Sequence, residues 1–134
     1  MTDVPRDLNW VKELSECSVK AIFSTLHQGA EGDVKEANTS KKARFPGYPI
    51  DPFAISSNEQ GNYFVVHEQG NTATLVRFSL GPDRIVISAY GKEYVVRPSL
   101  NNKGECKLRI NGEEEELEEW QVRRRVLERL FFES

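Results

Sequence analysis

Between Tyr63 and Ile110 apolar and polar residues alternate with a period of two, in the runs Tyr63–Glu68, Thr72–Leu80, Arg84–Tyr90, Glu93–Pro98 and Glu105–Ile110. Side chains leave a strand on alternate faces, so each run reads as a β-strand with one apolar and one polar side. The runs are separated by QGN, GPD, YGK and NNKG, short sequences of turn-forming residues. Connections this short cannot carry the crossover that parallel neighbours need, so the strands must form an antiparallel meander. Asn111-Gly112 is the strongest turn signal, because both residues tolerate the positive φ of a type I′ turn. A short return strand can follow it.

The alternation also assigns faces. Val76, Phe78, Ile85, Ile87, Tyr94, Val96, Leu108 and Ile110 belong to one side; Arg77, Ser79, Ser88, Tyr90, Glu93, Arg97, Lys107 and Arg109 belong to the other. The first side needs cover, while the second suits water, as antiparallel sheets permit.

Cover is supplied by helical patterns at the two ends of the chain. In residues 18–38, Val19, Ile22, Phe23, Leu26, Ala30, Val34 and Ala37 recur at steps of three or four and form one apolar stripe. Ser18 is the expected N-cap. Gly29 and Gly32 each weaken this helix by roughly 1 kcal/mol relative to alanine, so it either runs through them or ends at Gly29. Leu8, Val11 and Leu14 suggest a short preceding helix capped by Asp7, with Trp10 read as a buried anchor.

Over residues 115–132, Leu117, Trp120, Val126, Leu127, Leu130 and Phe131 form an apolar arc, with Val122 at its edge and Arg123 near its middle. This predicts that the helix docks through Trp120, Leu127 and Phe131. The stem of Arg123 should lie along the core boundary, with its guanidinium reaching solvent or Glu119. The acids Glu113–Glu116, Glu118 and Glu119 are read as the start of this helix, where they face the positive end of its dipole. Glu119–Arg123 and Arg124–Glu128 have the spacing of ion pairs on one helix face.

Residues 39–61 contain Pro46, Gly47, Pro49 and Pro52 and read as an irregular loop, with Phe45, Tyr48 and Phe53 folded onto the core. The expectation is a single α+β domain. It comprises a helical segment 7–38, a Pro-rich loop 39–61, an antiparallel sheet 62–112 of five or six strands and a C-terminal helix 115–132, with the helices on one sheet face.

At 134 residues, 38% hydrophobic and 29% charged, the chain has material for one core and a charged surface. A formal charge of −3 gives no long-range attraction to nucleic acid or an anionic membrane. The opening MTDVPRDLNW lacks the apolar core of a signal peptide, and no run is long enough to span a bilayer. The expected location is therefore the cytoplasm, with Cys17 and Cys106 as reduced, half-buried thiols. His27 and His67 have no partner at ligand spacing and are read as solvated or capping residues, and neither a metal nor a cofactor is expected.

No motif carries chemistry. The consecutive glutamates diverge, Arg123, Arg124 and Arg125 point in three directions, and SLGPDR is a turn and not an anion cradle. The first functional reading is a small non-catalytic binding or regulatory protein acting through contacts with a protein partner. The alternative is nucleic-acid or anionic-ligand binding on the polar sheet face through Arg77, Tyr90, Arg97, Lys107 and Arg109, which combine cations with an aromatic ring. The third is an enzyme with a cleft under the Pro-rich loop, rimmed by His67, Tyr48 or Glu68.

Overall fold

The computed structural model describes residues 8–44 and 51–132. The elements in chain order are α1 (Trp10–Glu16), α2 (Val19–Arg44), β1 (Phe53–Ser57), β2 (Tyr63–Glu68), β3 (Asn71–Leu80), β4 (Ile85–Ala89), β5 (Lys92–Leu100), β6 (Cys106–Ile110) and α3 (Glu119–Phe132). The strands follow one another in sheet order β1 to β6, and every neighbouring pair is antiparallel. The short connections require this α+β meander, and α2 and α3 pack on its apolar face.

Along β3 to β6 the inward set is the one the alternation selects. Val76, Phe78, Ile85, Ile87, Val96, Leu108 and Ile110 are buried, and Tyr94 packs against them. The helices contribute Phe23, Leu26, Ala30 and Val34 from α2 and Val122, Val126, Leu127 and Leu130 from α3. Phe64 stands near the centre, stacked on Phe78 at 4.4 Å and tilted against Phe23 at 5.3 Å. His27 lies flat against Phe64 at 4.5 Å, half-buried beside the core and not simply solvated.

Local signals explain the element ends. The Ser18 hydroxyl accepts from the Ala21 amide at 3.1 Å, which caps α2. Asn111 and Gly112 take φ of 55° and 74°, the positive values that a type I′ turn requires. The Asn111 side chain accepts from the Val95 amide at 2.8 Å and ties the turn to β5. The return strand after this turn is a single bridge between Leu108 and Leu117.

Several expectations change. The helix of residues 18–38 runs on to Arg44, straight through Gly29 and Gly32, because packing on the sheet and on α3 outweighs the glycine cost. Part of the expected Pro-rich loop is therefore helix, and another part is strand β1. Asp7, Phe45, Tyr48, Pro46 and Pro49 lie outside the described residues. β1 is fastened from its far side by Asn38 of α2, a buried polar residue: its amide donates to the Phe53 carbonyl at 3.0 Å, and its oxygen accepts from the Phe53 amide at 2.9 Å. One side chain thus satisfies both backbone groups of a buried residue, Phe53, on this edge strand.

The acid run does not open α3. Glu113–Glu116 lie in the segment before it, and the helix begins at Glu119. There the Gln121 side chain reaches back to accept from the Glu118 amide at 2.8 Å. Neither tryptophan is a buried anchor: Trp10 is 63% and Trp120 53% exposed. The buried side of α3 centres on Val122, Val126, Leu127 and Leu130. With about 100° between successive residues, Trp120 falls roughly a quarter-turn from that centre. α1, capped by Asn9, buries no residue, and its Val11 and Leu14 are exposed.

The cysteines are not reduced. Cys17, at the joint between α1 and α2, is bonded to Cys106 at the start of β6. They stand 89 positions apart, so nothing in their local sequence indicates that the fold brings them together. Among the described residues no helix is long and apolar enough to cross a membrane.

Candidate functional site

The outward sheet face separates the five expected site residues. Arg77 lies over the ring of Tyr63, its guanidinium carbon 4.2 Å from the centroid, and is held there as a cation on a π face. Lys107 meets Glu118 in a close ion pair, with Glu105 at 3.9 Å. The hydrogen bond to Glu118 raises the lysine pKa above its ordinary value. Tyr90 leaves the face altogether: it occupies a turn with Gly91 at φ 52° and 78°, packs against the core cluster, and has Arg129 of α3 over its ring at 4.1 Å. The left-handed turn breaks the period-two pattern that groups Tyr90 with Ser88. A cationic track interleaved with an aromatic platform is therefore not assembled.

Arg97 and Arg109 do come together. They are directly opposite each other in the β5–β6 register, on the face away from the helices. Neither has a carboxylate or ring partner among the described residues, and the buried Nε of Arg109 has no hydrogen-bond partner. With Pro98, Ser99 and Gly112 they line a concavity of about 440 Å³.

The other candidate residues do not converge. Glu68 pairs in register with buried Phe53, whereas His67 pairs with Ala54 and Leu75, so the two leave β2 on opposite faces. Tyr48 lies outside the described residues. Among the described residues no three histidines, cysteines or acids are grouped to hold a metal.

A second surface lies on the helix side. α2 and α3 pack together but leave between them a groove of about 370 Å³ with Ala37, Leu127 and Phe131 along it. Trp120 stands at one end and Phe132, 69% exposed, at the other. Both rings belong to α3, twelve positions apart. At a rise of about 1.5 Å per residue this is about 18 Å along the helix.

Arg123 crosses this groove. Its Nε donates to Glu119 at 2.6 Å, and one terminal nitrogen donates to the Gly29 carbonyl at 3.0 Å and meets Asp33 at 2.6 Å. Burial disfavours the charge, but the bonds to Glu119 and Asp33 outweigh it and the pKa is raised. The side chain keeps the predicted Glu119 contact and adds two partners on α2. Gly29 makes the approach possible, since a Cβ there would lie 2.5 Å from the Arg123 Nε.

Periodicity does not reveal the groove, because it counts Trp120 as core. One signal for it exists in the sequence: Phe131 and Phe132 are consecutive, and two helical neighbours about 100° apart cannot both face the same core centre. Comparison with protein-family models, curated proteins and solved structures finds no match for the chain.

Proposed function

We propose that this is a non-catalytic binding protein that takes an amphipathic helix of a protein partner into the groove between α2 and α3. The observation that carries the reading is the pair of exposed aromatic rings, Trp120 and Phe132, at the two ends of the groove between the packed helices, with Ala37, Leu127 and Phe131 along it. Tryptophan is among the residues that contribute most to binding at protein interfaces, and an apolar groove is the surface on which the apolar face of an amphipathic helix docks. A span of about 18 Å corresponds to three turns of a docked helix, so the partner should present apolar residues at i, i+3 or i+4, i+7 and i+11. Among the charged groups that line the groove, Arg123 is taken by Asp33 and Glu119, and Arg124 by Glu128. Glu36 is left with no cation among the described residues and favours a lysine or arginine on the partner's flank.

The Cys17–Cys106 bond supports an oxidising compartment for the folded protein, in place of the expected cytoplasm. The nucleic-acid reading loses its support, since Arg77, Lys107 and Tyr90 are all engaged within the protein. Selection from a random library of helical peptides, followed by NMR mapping, tests the proposal. The expected binders carry the i, i+3/i+4, i+7, i+11 pattern with a basic flank, perturb Trp120, Leu127 and Phe132, and are lost with Trp120→Glu and Phe132→Glu. Binders that map to another surface, or no binders at all, refute it.

A further inference from the structure

We infer that Arg97 and Arg109 form a binding site for a single phosphoryl group, carried by inorganic phosphate or a small phosphate monoester. The site is on the far side of the sheet from the helix groove and is independent of it. Like charges directly opposite on neighbouring strands repel, and a pairing of opposite charge is the favoured alternative. Here both positions are arginine.

Elsewhere among the described side chains each guanidinium has a carboxylate or an aromatic ring beside it. Arg84, Arg123, Arg124 and Arg125 meet carboxylates, and Arg77 and Arg129 lie over tyrosine rings. Of these side chains, the facing pair alone has neither, and the Nε of Arg109 is withdrawn from water without a partner. A doubly charged tetrahedral oxyanion between the two forks supplies the missing counter-charge, because a guanidinium presents paired N–H donors at the spacing of two phosphate oxygens. It offsets the repulsion, and Ser99 shares the concavity.

The surroundings limit the ligand to one such group. A polyanionic strand needs further cations along its path, but Arg77 and Lys107 are occupied, and Glu93 stands on the same face opposite Ser88. The chain's net charge of −3 also repels a polyanion as a whole. The concavity, about 440 Å³ in volume, suits a phosphate with a short organic tail.

The test is thermal melting and NMR titration of the full chain with inorganic phosphate, a phosphate monoester and a short single-stranded oligonucleotide, each against chloride at matched ionic strength. Phosphate and the monoester should raise the wild-type melting temperature and shift the resonances of Arg97, Ser99 and Arg109. Arg97→Gln and Arg109→Gln should each weaken that binding about tenfold, as expected for loss of one charge-assisted fork. In chloride alone both variants should melt no lower than wild type, because each removes one of two repelling charges. Arg129→Gln, on α3 where the lost arginine lies over the Tyr90 ring, should leave phosphate binding unchanged. The inference fails if phosphate and chloride act alike, if the two variants still respond to phosphate as wild type does, or if the oligonucleotide binds more tightly than the monoester.

Discussion

Replacing Gly29 with alanine sets a gain in helix propensity against the displacement of Arg123. An alanine in the interior of α2 gains about 1 kcal/mol over glycine. Gly32, three residues on, has open space where a Cβ would be, so Gly32→Ala should stabilise the protein by a similar amount. At Gly29 the added carbon would lie 2.5 Å from the Arg123 Nε, 2.7 Å from its Cζ and 2.8 Å from the Glu119 carboxylate. The guanidinium would have to withdraw from Asp33, Glu119 and the Gly29 carbonyl together. Breaking a fully buried ion pair costs about 3–5 kcal/mol. The Arg123 side chain is 16% exposed and its partners 33% and 21%. Water therefore recovers part of that cost, and a loss of about 2–3 kcal/mol is expected. The net prediction for Gly29→Ala is destabilisation by about 1–2 kcal/mol, opposite in sign to Gly32→Ala. Urea denaturation of the two variants measures the difference directly, and thermal melting should separate them by several degrees. The cause is checked by a double-mutant cycle: in an Arg123→Met background, where the ionic partners are already lost, Gly29→Ala should become neutral or stabilising. Equal stabilisation by alanine at both glycines would refute the reasoning, and destabilisation that persists without Arg123 would assign it to some other contact.

Asn38→Ala leaves the amide and the carbonyl of buried Phe53 unsatisfied at once, which should cost about 2–4 kcal/mol. Amide exchange should then show β1 opening before the rest of the sheet. The Cys17–Cys106 bond closes a loop across 89 positions, and its reduction should lower stability by about 4–5 kcal/mol on the chain-entropy account. The measurement is the urea midpoint with and without reductant, and an unchanged midpoint would show that the bond does not restrain the unfolded chain.

The meander, its inward face and the apolar stripe of α2 are all local consequences of the sequence. A strand's two faces follow from alternation, a hairpin from a short turn, and a helix face from steps of three and four. Tyr90 shows the limit of that logic, since a single residue at positive φ leaves the pattern and turns to the helices. Trp120 shows another, because how much of a helix face is buried depends on where the sheet lies beneath it. β1 is not legible because a five-residue strand after a proline has weak local signals, and its fastening by Asn38 spans fifteen positions. Both candidate surfaces belong to the same class of fact. Arg97 and Arg109 are twelve residues apart in the chain and become neighbours only through the β5–β6 register, while their lack of partners depends on where every nearby acid has gone. The groove exists because α2 and α3 meet across Gly29 and Arg123, 94 positions apart. From β2 to β6 the strands, their order and their two faces rest on alternation and short turns, so the order of amino acids suffices to dictate them. Which polar and aromatic groups stay unsatisfied at the surface depends on contacts between distant segments, and those exist only once the chain has folded.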